Sequence, residues 1–189
     1  MKWIGNRISF VDEKNYTTIV IVPEIKAWQK SVMGAWVGMW LAIGVTVLTS
    51  YFTFKLGNQE KIAVWVFMTF WAYFAYRVTR TFLWLMWGKE LIKIDEAAFY
   101  YKKSIGRYGK SIPYYLENIK KMVVDMPKTG SIQYVWEASP WILGGERLAF
   151  DYGQKVIRFG RKIEEKEAKL LFNVIVKTIE DQLKRRKAN

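Results

Sequence analysis

The sequence predicts an α+β membrane protein, in which a two-helix transmembrane hairpin is followed by a sheet-rich cytoplasmic domain closed by a C-terminal helix. Three observations point that way. Two stretches, of twenty-four and fifteen residues, carry no charge and are apolar enough for hydrocarbon. Beyond Gly88 apolar and polar residues alternate, and beyond Glu164 the apolar period changes from two to about 3.6. The 189 residues also include 17% aromatics and ten tryptophans, high for a soluble chain and first explained by lipid contact. These patterns divide the chain into an N-terminal segment over 1–30, a hairpin over 31–88 and a cytoplasmic domain over 89–189.

The N-terminal segment contains "RISFVDEKNYTTIVIV", Arg7 to Val22, which can form a β-hairpin and pair with an open sheet edge on its own side of the membrane. The first span follows, Ser31 to Phe54, longer than the roughly twenty residues that cross hydrocarbon at about 1.5 Å each. The second run, Ile62 to Tyr76, is too short for a crossing unless its helix continues through Arg77 and Arg80. "KLGNQEK" between them has turn residues and charges that belong outside the bilayer, giving a tight helical hairpin. Lysines and arginines flank the hairpin at both outer ends while the turn is nearly neutral, so both termini are expected in the cytoplasm, with the protein multi-pass in the cell inner membrane. The first apolar run starts too late and is too long for a cleaved signal peptide, and it is expected to act as the targeting signal.

Arg77 lies roughly 22 Å beyond Ile62 at 1.5 Å per residue, in the cytoplasmic half of a 30 Å layer, from where its guanidinium reaches headgroups. Two readings stay open for Arg77 and Arg80: interfacial anchoring, or a grip on an anionic lipid or a partner's carboxylate, which guanidinium binds bidentately. Trp84, Trp87 and Lys89 are expected at the membrane–water boundary. Gly34, Gly38 and Ala42, four residues apart, line one face of the first span. Backbones can approach closely there, either within the hairpin, against Ala72 and Ala75, or against another subunit.

In the cytoplasmic domain the alternation predicts strands near Glu90–Asp95, Ala98–Ser104, Tyr108–Pro113, Lys120–Asp125, Ile132–Trp136, Arg147–Asp151 and Lys155–Phe159, with glycine and proline turns in "IGRYGK", "PKTG" and "DYGQ". The closing helix places Ala168, Leu171, Phe172, Ile175, Ile179 and Leu183 on one face. Glu164, Glu165 and Glu167 suit its positive start and "KRRK" its negative end.

With no cysteine and no histidine, the chain lacks disulfides, thiolate metal sites, cysteine nucleophiles and the commonest metal ligand and general base. Asp95 and Glu96, and the glutamates at 164, 165 and 167, read as turn and helix-start residues rather than a catalytic pair. "ILGGERLAF" lacks the lysine and spacing of a phosphate-binding loop. No enzyme activity, cofactor or metal is expected. The net charge of +13 suits an anionic membrane or nucleic acid, but the aromatics concentrate in the spans, which argues against nucleic acid.

The stretches "KELIKIDEAAFYYKKSIGRYGKSIPYYLENIKKMVV" and "LAFDYGQKVIRFGRKIEEKEAKLLFNVI" resemble the bacterial pleckstrin-homology-like membrane proteins, in which a two-helix hairpin precedes a small barrel capped by a C-terminal helix. The resemblance covers roughly residues 31 to 183 and is one of pattern. It implies a PH-like seven-stranded barrel or sandwich and a non-catalytic scaffold. It also implies a basic region around the first two strands, here Lys93, Lys102, Lys103, Arg107 and Lys110, where eukaryotic relatives hold phosphoinositide headgroups. The N-terminal segment and the connection "EASPWILGGE" over 137–146 depart from the family pattern. The expected function is an accessory or scaffolding subunit of a larger membrane complex, partnered by membrane lipids and by a membrane protein or a second copy. The alternative is an anchored module that binds anionic lipid headgroups or recruits a cytoplasmic partner. Small residues on the first span and the apolar connection "SPWILGG" tilt toward docking.

Overall fold

The computed structural model describes residues 1–128, 130–139 and 141–188. Thr129 of the expected PKTG turn and Pro140 of the 137–146 connection lie outside the described residues, as does the side chain of Lys187 in the basic tail. The chain is α+β and divides into two compact units. One contains Met1–Glu24, Trp87–Ser139 and Leu143–Asn189; the other contains Ile25–Met86 with 140–142.

The second unit is a pair of long helices, α1 (Ala27–Thr53) and α2 (Asn58–Trp87), both long and apolar enough to cross a membrane. Helix α2 runs unbroken through Arg77 and Arg80, because nothing between Asn58 and Trp87 breaks a helix. Its start is capped by Glu60, whose Oε2 accepts from the Gly57 N–H at 2.7 Å. The two helices are stapled by a reciprocal pair: Trp40 Nε1–H donates to the Trp71 carbonyl at 3.2 Å, and Trp71 Nε1–H to the Trp40 carbonyl at 2.8 Å. The Trp71 ring fills the space that a side chain on Gly44 would need, since a Cβ there would lie 2.1 Å from ring carbon Cζ2. Gly44, rather than Gly34 or Gly38, is the glycine the hairpin itself requires. Trp141 joins this unit, its ring 5.4 Å from that of Trp36.

Among the described residues the first unit has nine strands in two antiparallel sheets. The larger has the order β1 (Lys2–Ile4), β2 (Ile8–Asp12), β3 (Tyr16–Ile21), β4 (Gly88–Asp95), β5 (Ala98–Ile105) and β6 (Ser111–Tyr115). The smaller has β7 (Ile119–Val124), β8 (Glu146–Tyr152) and β9 (Lys155–Arg161). Neither sheet closes into a barrel. The N-terminal segment forms a three-stranded meander, and its last strand pairs with β4 in the register Ile21↔Glu90 to Tyr16↔Asp95. The helical pair is therefore inserted between two neighbouring strands of one meander.

Among the described residues six strands follow the hairpin where seven were expected. The segment at Ile132–Trp136 is helical, within α3 (Ile132–Ala138). β7 pairs directly with β8, with Asp125 N–H donating to the Arg147 carbonyl, and among the described residues the segment between them pairs with no strand. It satisfies its backbone internally, started by Ser131, whose hydroxyl accepts from the Tyr134 N–H. The expected strand at Tyr108–Pro113 starts later, at Ser111, after a turn through Gly106.

The inward rows of both sheets and α4 (Glu165–Ala188) enclose the core. Phe99, Phe150 and Phe159 pack at ring-centroid separations of 5.3 to 6.0 Å, with Ile92, Ile94, Leu148, Leu171 and Ile175 around them. Into this row β4 inserts a charge. Gly88, Glu90, Ile92 and Ile94 alternate inward, and Glu90 is 1% exposed. Its Oε2 accepts from Tyr101 Oη–H and the Gly160 N–H, both at 2.8 Å, and its Oε1 from the Arg161 N–H at 3.0 Å. One carboxylate thus links β4 and β5 of the larger sheet to β9 of the smaller. Gly160 is at φ +72, and a Cβ there would lie 2.9 Å from Ile163 Cδ1. Only glycine both adopts that backbone and leaves room.

Removing this carboxylate strands three buried donors, so Glu90→Ala should lower the stability of the sheet unit by about 3–5 kcal/mol. Denaturant unfolding in mild detergent, followed by near-UV circular dichroism, measures this. Glu90→Gln keeps the shape but exchanges an acceptor for a donor, and should fall between alanine and wild type.

Candidate functional site

No single cleft gathers the residues singled out from the sequence; they occupy three places. On the helical pair, Arg77 and Arg80 are exposed, and among the described residues each donates to a tyrosine one turn earlier. Arg77 Nη1–H donates to Tyr73 Oη at 3.0 Å and its guanidinium lies 5.6 Å from that ring's centroid, while Arg80 Nη1–H reaches Tyr76 Oη at 3.4 Å. Among the described residues neither meets a carboxylate. Arg80 stands at a shallow groove of about 490 Å³ whose other walls are Leu41, Ala75, Tyr76, Thr79 and Leu83. A cation beside an apolar groove can hold an anionic headgroup and an acyl chain together, because guanidinium binds phosphate while the aliphatic walls take hydrocarbon.

The small-residue row is only partly used inside the hairpin. A Cβ on Gly34 would be 3.4 Å from Phe82 Cζ, but a Cβ on Gly38 would meet nothing within 4 Å, and Ala42 is exposed. On α2, Ala75 is buried and Ala72 exposed. Trp84 is also buried, unlike Trp87 and Lys89, which are exposed as interfacial residues would be.

The basic residues of the sheet unit do not form one patch. Strand register places Lys93 opposite Tyr100 and Lys102 opposite Leu91, on the outer face with Lys89. Lys93 Nζ lies 4.8 Å from the Tyr16 ring centroid and 3.9 Å from Asp95 Oδ2. Lys103, opposite Glu90, is on the inner face and reaches Glu146 Oε1 at 3.2 Å. Arg107 and Lys110 are exposed in the β5–β6 turn. Alternation alone assigns Lys102 and Lys103 to opposite faces, so that split was legible in the sequence.

No protein-family model, no curated protein and no solved structure matches this chain.

The structure also assembles ionic groups that the sequence reading passed over. Arg161 Nη2 lies 2.7 Å from Glu146 Oε1, and Arg147 Nη1 2.5 Å from Glu137 Oε2. Burial pushes the Glu146 carboxyl up, but the Arg161 hydrogen bond and charge, with Lys103, more than offset this and hold it below the usual value. Arg7 donates from Nε and Nη2 to Glu167 Oε2 and from Nη2 to the Lys162 carbonyl, tying the N-terminal meander to the start of α4. Glu167 Oε2 also accepts from the Glu164 N–H, as the third residue of a capping box does. The signal that could have found Glu90 is its place in "GKELIKID", a charge in register with Ile92 and Ile94. The connection "SPWILGG" is half-buried over 141–144, so it is not the exposed apolar surface the sequence suggested. The exposed apolar side chains nearby are instead Ile132, Val135 and Trp136 on α3.

Among the described residues no group of three acidic, histidine or cysteine side chains is placed to hold a metal ion. One amine stands out chemically. Burial, then the charges of Arg161 and Arg147, lower Lys162 from 10.5 to about 8, and its Nζ donates to the Ser139 carbonyl. Between pH 8 and 10.5 the unfolded chain binds one proton more than the native state at this residue, so stability rises with pH across that window. Below pH 8 the full penalty of charging the amine is present. Chemical denaturation at pH 7.5 and 9.5 should show this rise, and Lys162→Met should remove most of it.

Proposed function

We propose that this chain is a non-catalytic, membrane-anchored accessory protein that docks on a partner membrane protein through the outward face of α1. The observation that carries this is the placement of the glycines. The hairpin's own close approach uses Gly44 against Trp71, which leaves Gly38 and Ala42 open on the outside. In a bilayer, where lipid tails are as apolar as leucine, such a face earns its stability by letting another backbone approach closely. The sheet unit is read as a PH-like module opened out by the N-terminal meander. The three-stranded second sheet and the closing helix α4 support that reading.

Membrane insertion is supported by the lengths of α1 and α2, about 40 and 45 Å for their 27 and 30 residues. The pairing of β3 with β4 supports an even number of crossings, because adjacent strands of one sheet cannot lie on opposite sides of a bilayer. The flanking lysines and arginines support a cytoplasmic location for that side. A chain without cysteine allows a direct check. Single cysteines at Asn15 and Asn58 should label oppositely with an impermeant maleimide, the first only in inverted vesicles and the second only from outside intact spheroplasts.

Docking is tested by extracting the protein gently from its native membrane and comparing the particle's mass with the chain's own 22.3 kDa. Wild type should run as a larger, stoichiometric assembly, and Gly38→Leu should reduce it while leaving the thermal melt unchanged. Gly44→Leu should instead destabilise the hairpin by about 1–3 kcal/mol through overpacking. An unchanged assembly in Gly38→Leu would reject docking by this face.

A second reading has its own observation. Arg77 and Arg80 are exposed cations with no carboxylate partner among the described residues, and Arg80 borders the groove. These features fit an anionic phospholipid. Replacing both arginines with glutamine should deplete anionic phospholipid from the purified protein severalfold, as read by lipid mass spectrometry. Equal lipid content would leave them as ordinary interfacial anchors.

A further inference from the structure

A cavity of about 240 Å³ lies within the sheet unit, between the inner face of the N-terminal meander and the C-terminal half of α4. It sits where three apolar rows turn polar together. On β2 the inward row runs Ile8, Phe10, Asp12; on β3 it runs Ile21, Ile19, Thr17; on α4 it runs Leu171 and Ile175 and then reaches Gln182. A hydrophobic core has no reason to end on all three elements at one place, since each buried polar group needs a partner. Thr17 has one, donating from Oγ1 to Asp12 Oδ1 at 2.7 Å. Gln182 does not: it is 3% exposed, and its Oε1 accepts no hydrogen bond among the described residues. Rotating the amide exchanges its oxygen and nitrogen at little steric cost, so this wall can offer either an acceptor or a donor.

The rim around this floor carries both signs of charge. Lys2, Lys177 and Arg185 face Asp12 and Asp181, three cations against two carboxylates, a formal excess of one positive charge. Arg185 also closes one side of the wall, donating from Nη1 to the Lys14 carbonyl in the β2–β3 turn. The volume equals about eight waters at roughly 30 Å³ each, which suits one small polar molecule and not a drug-sized apolar one.

We propose that this cavity binds a small zwitterion that joins a primary ammonium to a phosphate, as in phosphoethanolamine. With the Gln182 amide rotated so that its oxygen turns to the cavity, the ammonium donates to that oxygen and to the carboxylates of Asp12 and Asp181. The phosphate takes the lysines and arginine. Such a ligand carries about −0.5 to −1 near neutral pH, its phosphate being −1.5 to −2, and so offsets the excess charge of the rim. The same chemistry exists as a free metabolite and as the headgroup of an aminophospholipid.

Titration calorimetry of the full-length protein in a zwitterion-free detergent, with O-phosphoethanolamine as the probe, tests this. Saturable 1:1 binding is expected, at least tenfold tighter than for ethanolamine or inorganic phosphate alone, because each half engages one sign of the rim. Gln182→Leu should abolish it while keeping or raising the melting temperature, since an apolar side chain suits a dry wall. Lys177→Gln, an exposed change that cannot unfold the helix, should weaken it at least threefold. Nanodiscs with and without phosphatidylethanolamine then separate the sources. Competition by the lipid-containing discs identifies the headgroup, and absence of competition identifies the soluble molecule. The proposal is overturned if phosphoethanolamine does not bind, if either half binds as well as the whole, or if Gln182→Leu binds like wild type. In those cases the cavity holds only water.

Discussion

The carboxylate of Glu90 is the point on which the sheet unit turns. A six-stranded and a three-stranded sheet share no ladder, and side-chain packing between them is non-directional, so hydrophobic burial alone does not set how their ends meet. Glu90 supplies direction. Its two oxygens take a phenol from β5 and two consecutive backbone N–H groups from β9, each within 3.0 Å. Because the site is dry, a small displacement of either sheet would leave a charge and its donors unpaired, a penalty far above that of losing a methyl contact. The left-handed backbone at Gly160 is what aims those N–H groups, and the Arg161 side chain then continues outward to Glu146, which also holds Lys103.

The helical pair depends on a different constraint, the close approach at Gly44. Without a side chain there, the Trp71 indole lies against α1 and reaches the Trp40 carbonyl, while Trp40 returns the bond. Interhelical hydrogen bonds of this kind are modest individually, on the order of 1 kcal/mol. Their value is in fixing rotation: with α1 and α2 locked in register, Gly38, Ala42 and the groove beside Arg80 are presented on defined outer faces. A docking or lipid-binding surface on a hairpin requires that rotation to be set from within.

The two constraints meet in the connectivity. Inserting the helices between β3 and β4 means that the segment before them and the strand after them are held together by a six-residue ladder. The N-terminal strands are thereby part of the folded unit, reinforced by Arg7 on Glu167, rather than an appendage. The same meander forms one wall of the polar cavity, so a ligand there would tie the N-terminus to α4.

By itself the sequence determined whatever depends on local period and composition. The charge-free runs give two membrane-length helices with a turn at Gly57, the alternation after Gly88 gives strands, and the 3.6-residue row from Ala168 to Leu183 gives α4, because each side chain's partition between water and apolar surroundings is written at its own position. Only the tertiary structure decided which elements meet. Alternation shows that Tyr16–Ile21 is a strand but not that β4 is its neighbour, and "IQYVW" reads as a strand but, pairing with no strand among the described residues, closes on itself within α3. Gly34, Gly38 and Gly44 look alike in sequence, and only the positions of Trp71 and Phe82 show that Gly44 is filled, Gly34 is in contact and Gly38 is left open. Glu90 and Gln182 stood in plain view as polar residues in inward rows; Glu90 is satisfied and, among the described residues, Gln182 Oε1 is not, and that difference belongs to partners distant in the chain.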